Sequence, residues 1–417
     1  MRVIKILGIL FFFFMTNVKG QTVTLSRFLA GDASTSIRMA LHSPNDTVII
    51  DRNVNPWSFR PVRLEGVRNK TIIIEPGVRI QAEPGAFPGT SDALFTFIDS
   101  DNVTILGNKN VLAMNKAEYT DGEWRHVLSL RGCRNFSVRN LILRDSGGDG
   151  IYIIGSDSRL FSENIRIDSV KSLNNKRQGI SVISAKGLYV TNSEFSDTSG
   201  TLPGAGVDIE PNSPRNVIDD IFFDNCIFRN NYHSGIKIAL GKLTSSSKPI
   251  NITFTDCLLQ KNHAPENPYP AAEIAIGAHR TDPVKGNVIF KHCMIDQSNW
   301  GVFYSRKGAE AYHVSFEQFS ALDICQKSVT PPFGLEVADY RNISPDLGGF
   351  TFMDVYVSYS SNVPVFVVRG SRLGTLRHFR SIKGHITVAG PIESKMKFIN
   401  YDPVNNRDVD VEITSKN

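Results

Sequence analysis

Cysteine is scarce in this chain, with five in 417 residues. An odd, small set does not make a disulfide framework, and its spacing fits no zinc motif. Helical periodicity is nearly absent from residue 60 onward, so helices are not what the chain is built from. There is no basic run with interleaved aromatics, and therefore no argument for nucleic acid as a partner. No Pro/Gly/Ser-rich linker separates a second domain. Beyond the N-terminus no apolar run is long enough to span a membrane. The net charge of +5 permits attraction to a polyanion without requiring one.

The N-terminus is the exception to the lack of long apolar runs. Arg2 and Lys5 precede an apolar stretch from Ile6 to Met15, and Val18-Lys19-Gly20 follows with small residues at cleavage offsets. Residues 1–20 are expected to be a signal peptide, with Gln21 as the mature start. The protein is then secreted or periplasmic. No Cys follows the cleavage point to take a lipid anchor.

What the chain has in abundance is self-similarity. Asp149-Gly150-Ile151-Tyr152-Ile153, Gln178-Gly179-Ile180-Ser181-Val182, Ala205-Gly206-Val207-Asp208-Ile209-Glu210 and Ser234-Gly235-Ile236-Lys237-Ile238 align one under another. Fainter copies follow at Glu273-Ile274-Ala275-Ile276, Gly301-Val302-Phe303-Tyr304 and Gly334-Leu335-Glu336-Val337. Aligned on residues 150, 179, 206, 235, 273, 301 and 334, they step by 29, 27, 29, 38, 28 and 33 residues. One short strand per repeat at such a period predicts a solenoid. Alternation within each copy predicts one buried and one wet face. The wet positions are then Tyr152, Ser181, Asp208, Glu210 and Lys237.

Other strand-like runs, such as Thr71 to Glu75 and Leu94 to Ile98, give about three short strands per coil, separated by Gly, Asn or Asp turns. Asn102, Asn135, Asn164, Asn192 and Asn225 recur at a similar phase and are read as turn residues. Cys226, Cys257 and Cys293 hold equivalent places and are expected to stack inside the wall. Asp32 before Ile37, Met39, Ala40 and Leu41 predicts a short capping helix ahead of the strand Thr47-Val48-Ile49-Ile50. The expected organisation is a cap and first strand over 21–60, a parallel β-helix over 61–370, and a β-rich end of the solenoid over 371–417. Insertions at 244–248, 264–269 and 282–285 are expected as loops beside the central strands.

These features together resemble the right-handed parallel β-helix, or pectin-lyase-like, superfamily over roughly residues 30 to 370. The resemblance implies an all-β fold with a short N-terminal capping helix. It leaves the activity open, because the fold hosts hydrolases, lyases, epimerases and adhesins.

Asp208 and Glu210 lie two apart in one strand and so point to one side, with Cα atoms about 6.6 Å apart. Such a pair suits the acid and base of an inverting glycosidase. Pro211 ends the strand beside them. Lys237 falls one coil on in the same column; Asp149, Arg177 and His233 lie at leading edges of their strands, and His279 lies past the 273 copy. The expected catalytic residues are Asp208 and Glu210, supported by Asp149. The expected substrate-binding residues are Tyr152, Arg177, His233, Lys237 and His279. No resident metal or other cofactor is expected for hydrolysis.

Two enzyme families resemble parts of this patch. Asp149-Gly150-Ile151 is similar to an Asp-Gly-Ile element of polygalacturonases, with Arg177-Gln178 where those enzymes place a paired Asp. Gly206-Val207-Asp208-Ile209-Glu210-Pro211 is similar to the Gly-Phe-Asp-Pro-His stretch of alginate epimerases and lyases, with Glu210 at the His. The first resemblance implies glycoside hydrolysis. The second implies a lyase or epimerase acting on uronic acids, with Lys237, His233 or Tyr152 moving protons and Asp208 and Glu210 holding Ca2+. A non-catalytic glycan-binding solenoid is the third reading, in which Asp208 beside Lys237 is an ordinary cross-strand pair. The expected partner in all three is a polysaccharide, acidic in the second.

Overall fold

The computed structural model describes residues 20–28, 31–264, 272–326, 330–337, 346–373 and 376–416. The expected signal segment and the 264–269 insertion fall almost entirely outside these residues. The chain winds as a parallel β-helix. One wall is a 12-stranded parallel sheet that begins at Val62–Glu65 and runs through Ile151–Ile154, Ile180–Val182, Val207–Ile209 and Ile236–Leu240 to Met396–Ile399. The remaining walls form a 22-stranded sheet.

A coil takes its shape from left-handed corners. In one coil Asn164, Ser169 and Asn174 have φ of 52°, 55° and 52°. The next coils repeat the five-residue spacing with Gly187, Asn192 and Asp197, and with Asp220, Asn225 and Asn230. Asn and Asp enter this region at lower cost than other residues with a Cβ, which is why they recur here. The side chains then bond along the stack. Asn102 donates to Asn69 at 2.8 Å, Asn135 to Asn102 at 2.9 Å and Asn164 to Asn135 at 2.6 Å. The five asparagines expected at one phase divide between two corners, since Asn225 stacks on Asn192 in the neighbouring row.

Inside, the same repetition stacks the core. Phe223, Phe254, Phe290 and Phe316 follow one another with ring centroids 5.0, 5.1 and 5.0 Å apart. Offset stacking at the strand spacing adds to the burial of each ring. Cys226, Cys257 and Cys293 form the expected ladder, and all five cysteines are free and buried. The helix Ala33–His42 closes the N-terminal end, with the Asp32 side chain accepting the Thr35 N–H at 2.7 Å. Ile37 and Leu41 cover Ile50, Ile72 and Ile74.

Two expectations need correction. The first strand is Thr22–Thr24, paired with Thr47–Ile49, so the stack starts ahead of the helix. Segments 244–248 and 282–285 are loops beside the central strands, as expected, and they are anchored. The Ser245 N–H donates to Asp282 at 3.3 Å, and Val284 is buried. The register of the last copies also slips. Ile274 pairs with Phe303, and Phe303 with Phe333. The residues equivalent to Glu273 are therefore Val302 and Pro332, not Gly301 and Gly334. A one-residue slip exchanges faces, so Phe303 is core and Tyr304 takes the outward column.

Candidate active site

Strand pairing sets one outward column of the 12-stranded wall: Ser129, Tyr152, Ser181, Asp208, Lys237, Ala275 and Tyr304. Three residues earlier runs a second row, His126, Asp149, Gln178, Ala205 and Ser234, tied by coil-to-coil backbone hydrogen bonds. Close approach is possible because glycine precedes the strands. A Cβ on Gly150 would lie 1.9 Å from the Ser172 Oγ.

The column is drier than alternation implied. Tyr152 and Ser181 are buried, and Asp149 and Asp208 have no exposure at all. Neighbouring side chains cover them. His126 stacks on Tyr152 with centroids 4.4 Å apart and planes 4° apart, and the Arg131 guanidinium lies 5.7 Å from the same ring. Tyr152 is thus enclosed and offers no platform to a sugar. Among the side chains that reach water are Glu210, 35% exposed, Lys237, 21%, and Arg177, 13%.

Asp208 accepts a hydrogen bond from the Gln178 Nε2 at 2.9 Å, and the Ala205 N–H donates to the Gln178 Oε1 at 2.7 Å, which fixes the amide's orientation. The Lys237 Nζ lies 3.6 Å from Asp208 Oδ2 and 3.7 Å from Glu210 Oε1. Burial raises the Asp208 pKa to about 8 against the pull of Lys237, and Glu210 within hydrogen-bonding reach raises it further. Asp208 and Glu210 both face the Lys237 ammonium, Asp208 from a fully buried position and Glu210 from a partly exposed one.

A second pair of carboxyls meets through Arg177. Its Nη1 lies 3.8 Å from Asp149 Oδ1 and its Nη2 lies 3.4 Å from Glu210 Oε2, while Nε lies 3.5 Å from Glu123. Asp149 and Glu210 are one guanidinium apart. Burial raises the Asp149 pKa to about 7, with Arg177 opposing.

His233 hydrogen-bonds Ser234 at 2.9 Å and packs against His263 with centroids 5.3 Å apart. Burial, with His263 and Lys237 nearby, lowers its pKa to about 4. The imidazole is therefore neutral at pH 7. It lines a recess of about 250 Å³ with Lys237, Ala275, Tyr304 and Arg306. His279 is instead a turn residue, its Nδ1 accepting the Asp282 N–H at 3.1 Å. Sequence reasoning missed His126 and Glu123. Aligning Arg125-His126-Val127-Leu128-Ser129 under Gly148-Asp149-Gly150-Ile151-Tyr152 places His126 on Asp149, but no glycine marks that strand.

Among the described residues no cluster of three His, Cys, Asp or Glu is spaced to hold a metal ion. None of their helices is long and apolar enough to cross a membrane.

Comparison with known proteins supports the fold. The catalytic unit of a thermostable GH87 α-1,3-glucanase from Streptomyces thermodiastaticus superposes with a TM-score of 0.60 at 13% identity, covering 95% of this chain and 69% of that one. The A-module of the mannuronan C-5 epimerase AlgE4 from Azotobacter vinelandii gives 0.58 at 12% identity, covering 94% and all of that chain. An uncharacterized Bacillus subtilis protein, YclG, is 24% identical over 277 residues, 61% of this chain; the matched part spans only 44% of that relative's length. Residues 97–318, more than half of the chain, match the model of the right handed beta helix region family, and the chain belongs to that family.

Proposed function

We propose that the protein is a polysaccharide-active enzyme, and specifically a glycoside hydrolase. The observation that carries this reading is the pairing of proton-bearing and near-neutral carboxyls across Arg177. Asp208 is kept protonated by burial, and Lys237 lies between it and Glu210, whose side chain reaches water. Asp149 sits on the far side of the guanidinium with a pKa of about 7. Carboxyls in different environments at such a separation divide into acid and base.

In this scheme the Asp208–Glu210 pair donates a proton to the glycosidic oxygen as the bond to the anomeric carbon breaks. Asp149 takes a proton from the water whose oxygen bonds to that carbon. Arg177 is displaced by the substrate, since it now fills the gap. Asp149 thus moves from a supporting role to that of base. The structural neighbours named for an α-1,3-glucanase and a mannuronan epimerase are consistent with a glycan substrate.

A second reading draws on the recess. Lys237, Tyr304 and Arg306 lie together beside the carboxyls, with the Arg306 Nε donating to the Tyr304 hydroxyl at 3.0 Å. A cation at that point favours an acidic sugar and, with it, the lyase or epimerase alternative. Export also belongs to the proposal, on the strength of Arg2, Lys5 and the apolar run; N-terminal sequencing of the protein from the culture medium tests it.

The deciding experiment incubates the protein with neutral and acidic polysaccharides, with and without a chelator, following reducing ends and the ultraviolet absorbance of unsaturated uronates together. Reducing ends alone support hydrolysis. Absorbance rising with them overturns it in favour of elimination. Binding without turnover supports the non-catalytic solenoid.

A further inference from the structure

Seven buried side-chain atoms among the described residues have no well-formed hydrogen bond: His126 Nε2, both Asp149 oxygens, Arg177 Nε, Ser181 Oγ, Asp208 Oδ1 and Ser361 Oγ. All but Ser361 belong to one contiguous patch. Unpaired buried polar atoms are costly, and strained sites of this kind concentrate where function is. His126 and Ser181 are the members of the patch that the proposed hydrolysis does not use, and His126 is the titratable one.

Its geometry is specific. The Asp149 backbone N–H donates to the His126 Nδ1 at 3.0 Å. That bond makes Nδ1 the acceptor and puts the proton of the neutral ring on Nε2. The same Nδ1 lies 3.4 Å from Asp149 Oδ2. Burial, then Arg131 and Arg177, hold the imidazole's pKa well below its usual value. The His126–Asp149 contact is therefore a lone pair facing a carboxyl group, not an ion pair. Stacking on Tyr152 locks the ring plane.

We propose that His126 is a positioning residue for Asp149. Its Nδ1 anchors the backbone and turns Oδ2 inward, so that Oδ1 faces Arg177 and the proposed reaction gap. The Nδ1 lone pair, engaged by the backbone N–H, still places negative charge 3.4 Å from Oδ2 and so repels the carboxylate. It thereby favours the protonated form of Asp149. The other groups facing Asp149 are Arg177, which favours the carboxylate, Glu123, which opposes it, and the Ser181 hydroxyl. Arg131 and Tyr152 face the ring. This inference rests on the hydrolase reading for its purpose but not for its geometry.

The test is a carbon-13 NMR titration of aspartate carboxyls, which needs no substrate. Asp149→Asn and Asp208→Asn assign the two signals that titrate highest. His126→Phe keeps a ring on Tyr152 and removes the acceptor, and it is expected to lower the Asp149 midpoint by about one pH unit or more while the Asp208 midpoint stays. His126→Asn, whose side-chain oxygen can take the N–H, should restore most of the difference. An unmoved Asp149 midpoint in a folded His126→Phe overturns the proposal whatever the activity. So does a His126→Asn that shifts it as far as His126→Phe does. With a substrate in hand, His126→Phe should cut kcat about tenfold at constant KM. An active Asp149→Asn would refute the hydrolase reading and leave the titration to judge His126.

Discussion

The corner asparagines and the carboxyl patch are built on the same coils and obey opposite rules. At the corner, Asn69, Asn102, Asn135 and Asn164 repeat one residue type and satisfy one another coil by coil. On the 12-stranded wall the outward column changes at every step, from Tyr152 to Ser181 to Asp208 to Lys237. Of the seven unpaired buried polar atoms among the described residues, five lie there or in the row beside it, and a sixth is the Arg177 Nε next to that row. In a solenoid, repetition is what stabilises, because each coil meets only its neighbours. Broken repetition costs stability and must be retained for another reason.

The strongest way to break this comparison is to remove one carboxyl. Asp208→Asn is expected to lower hydrolysis by about 10²-fold or more while leaving the fold intact; an active variant would place the patch with the corners as mere structure. Stability against pH comes next. Asp149 and Asp208 have raised pKa values in the fold, so their contribution is full below the unfolded value near 3.8 and is lost as pH rises through about 7 and about 8. For Asp149 alone the loss is on the order of 4 kcal/mol. Urea unfolding at acid and alkaline pH should show the wild type weakening and Asp149→Asn holding steadier. Gly150→Ala should then cost about 3 kcal/mol, since the added methyl meets Ser172 at 1.9 Å. Smallest is Asn135→Ala, about 2 kcal/mol from two lost ladder bonds and a left-handed backbone without Asn. It should leave catalysis untouched, and thermal melts beside activity assays would separate the two regions.

The fold was legible wherever the local signal repeats with the coil. Gly150, Gly179, Gly206 and Gly235 mark strand starts because the neighbouring coil fills the space a Cβ would need. Where Glu273, Val302 and Pro332 take that place, the marker vanishes and the register slips by one or two residues. The columns holding Asp149, Asp208 and Lys237 were readable from alternation alone. Their dryness was not, because it comes from side chains of other coils: His126 and Arg131 over Tyr152, and Arg177 reaching between Asp149 and Glu210. That Lys237 meets both Asp208 and Glu210 depends on rotamers that no spacing in sequence fixes.

The five free thiols have a kinetic consequence. Cys133, Cys226, Cys257, Cys293 and Cys325 are spread along the axis, each sealed in the wall. Burial pushes the Cys133 thiol up to about 12, far from the reactive thiolate. A thiol reagent can modify such a residue only while its coil is open. Single-cysteine variants labelled over time would act as clocks along the stack and report from which end the coils unzip.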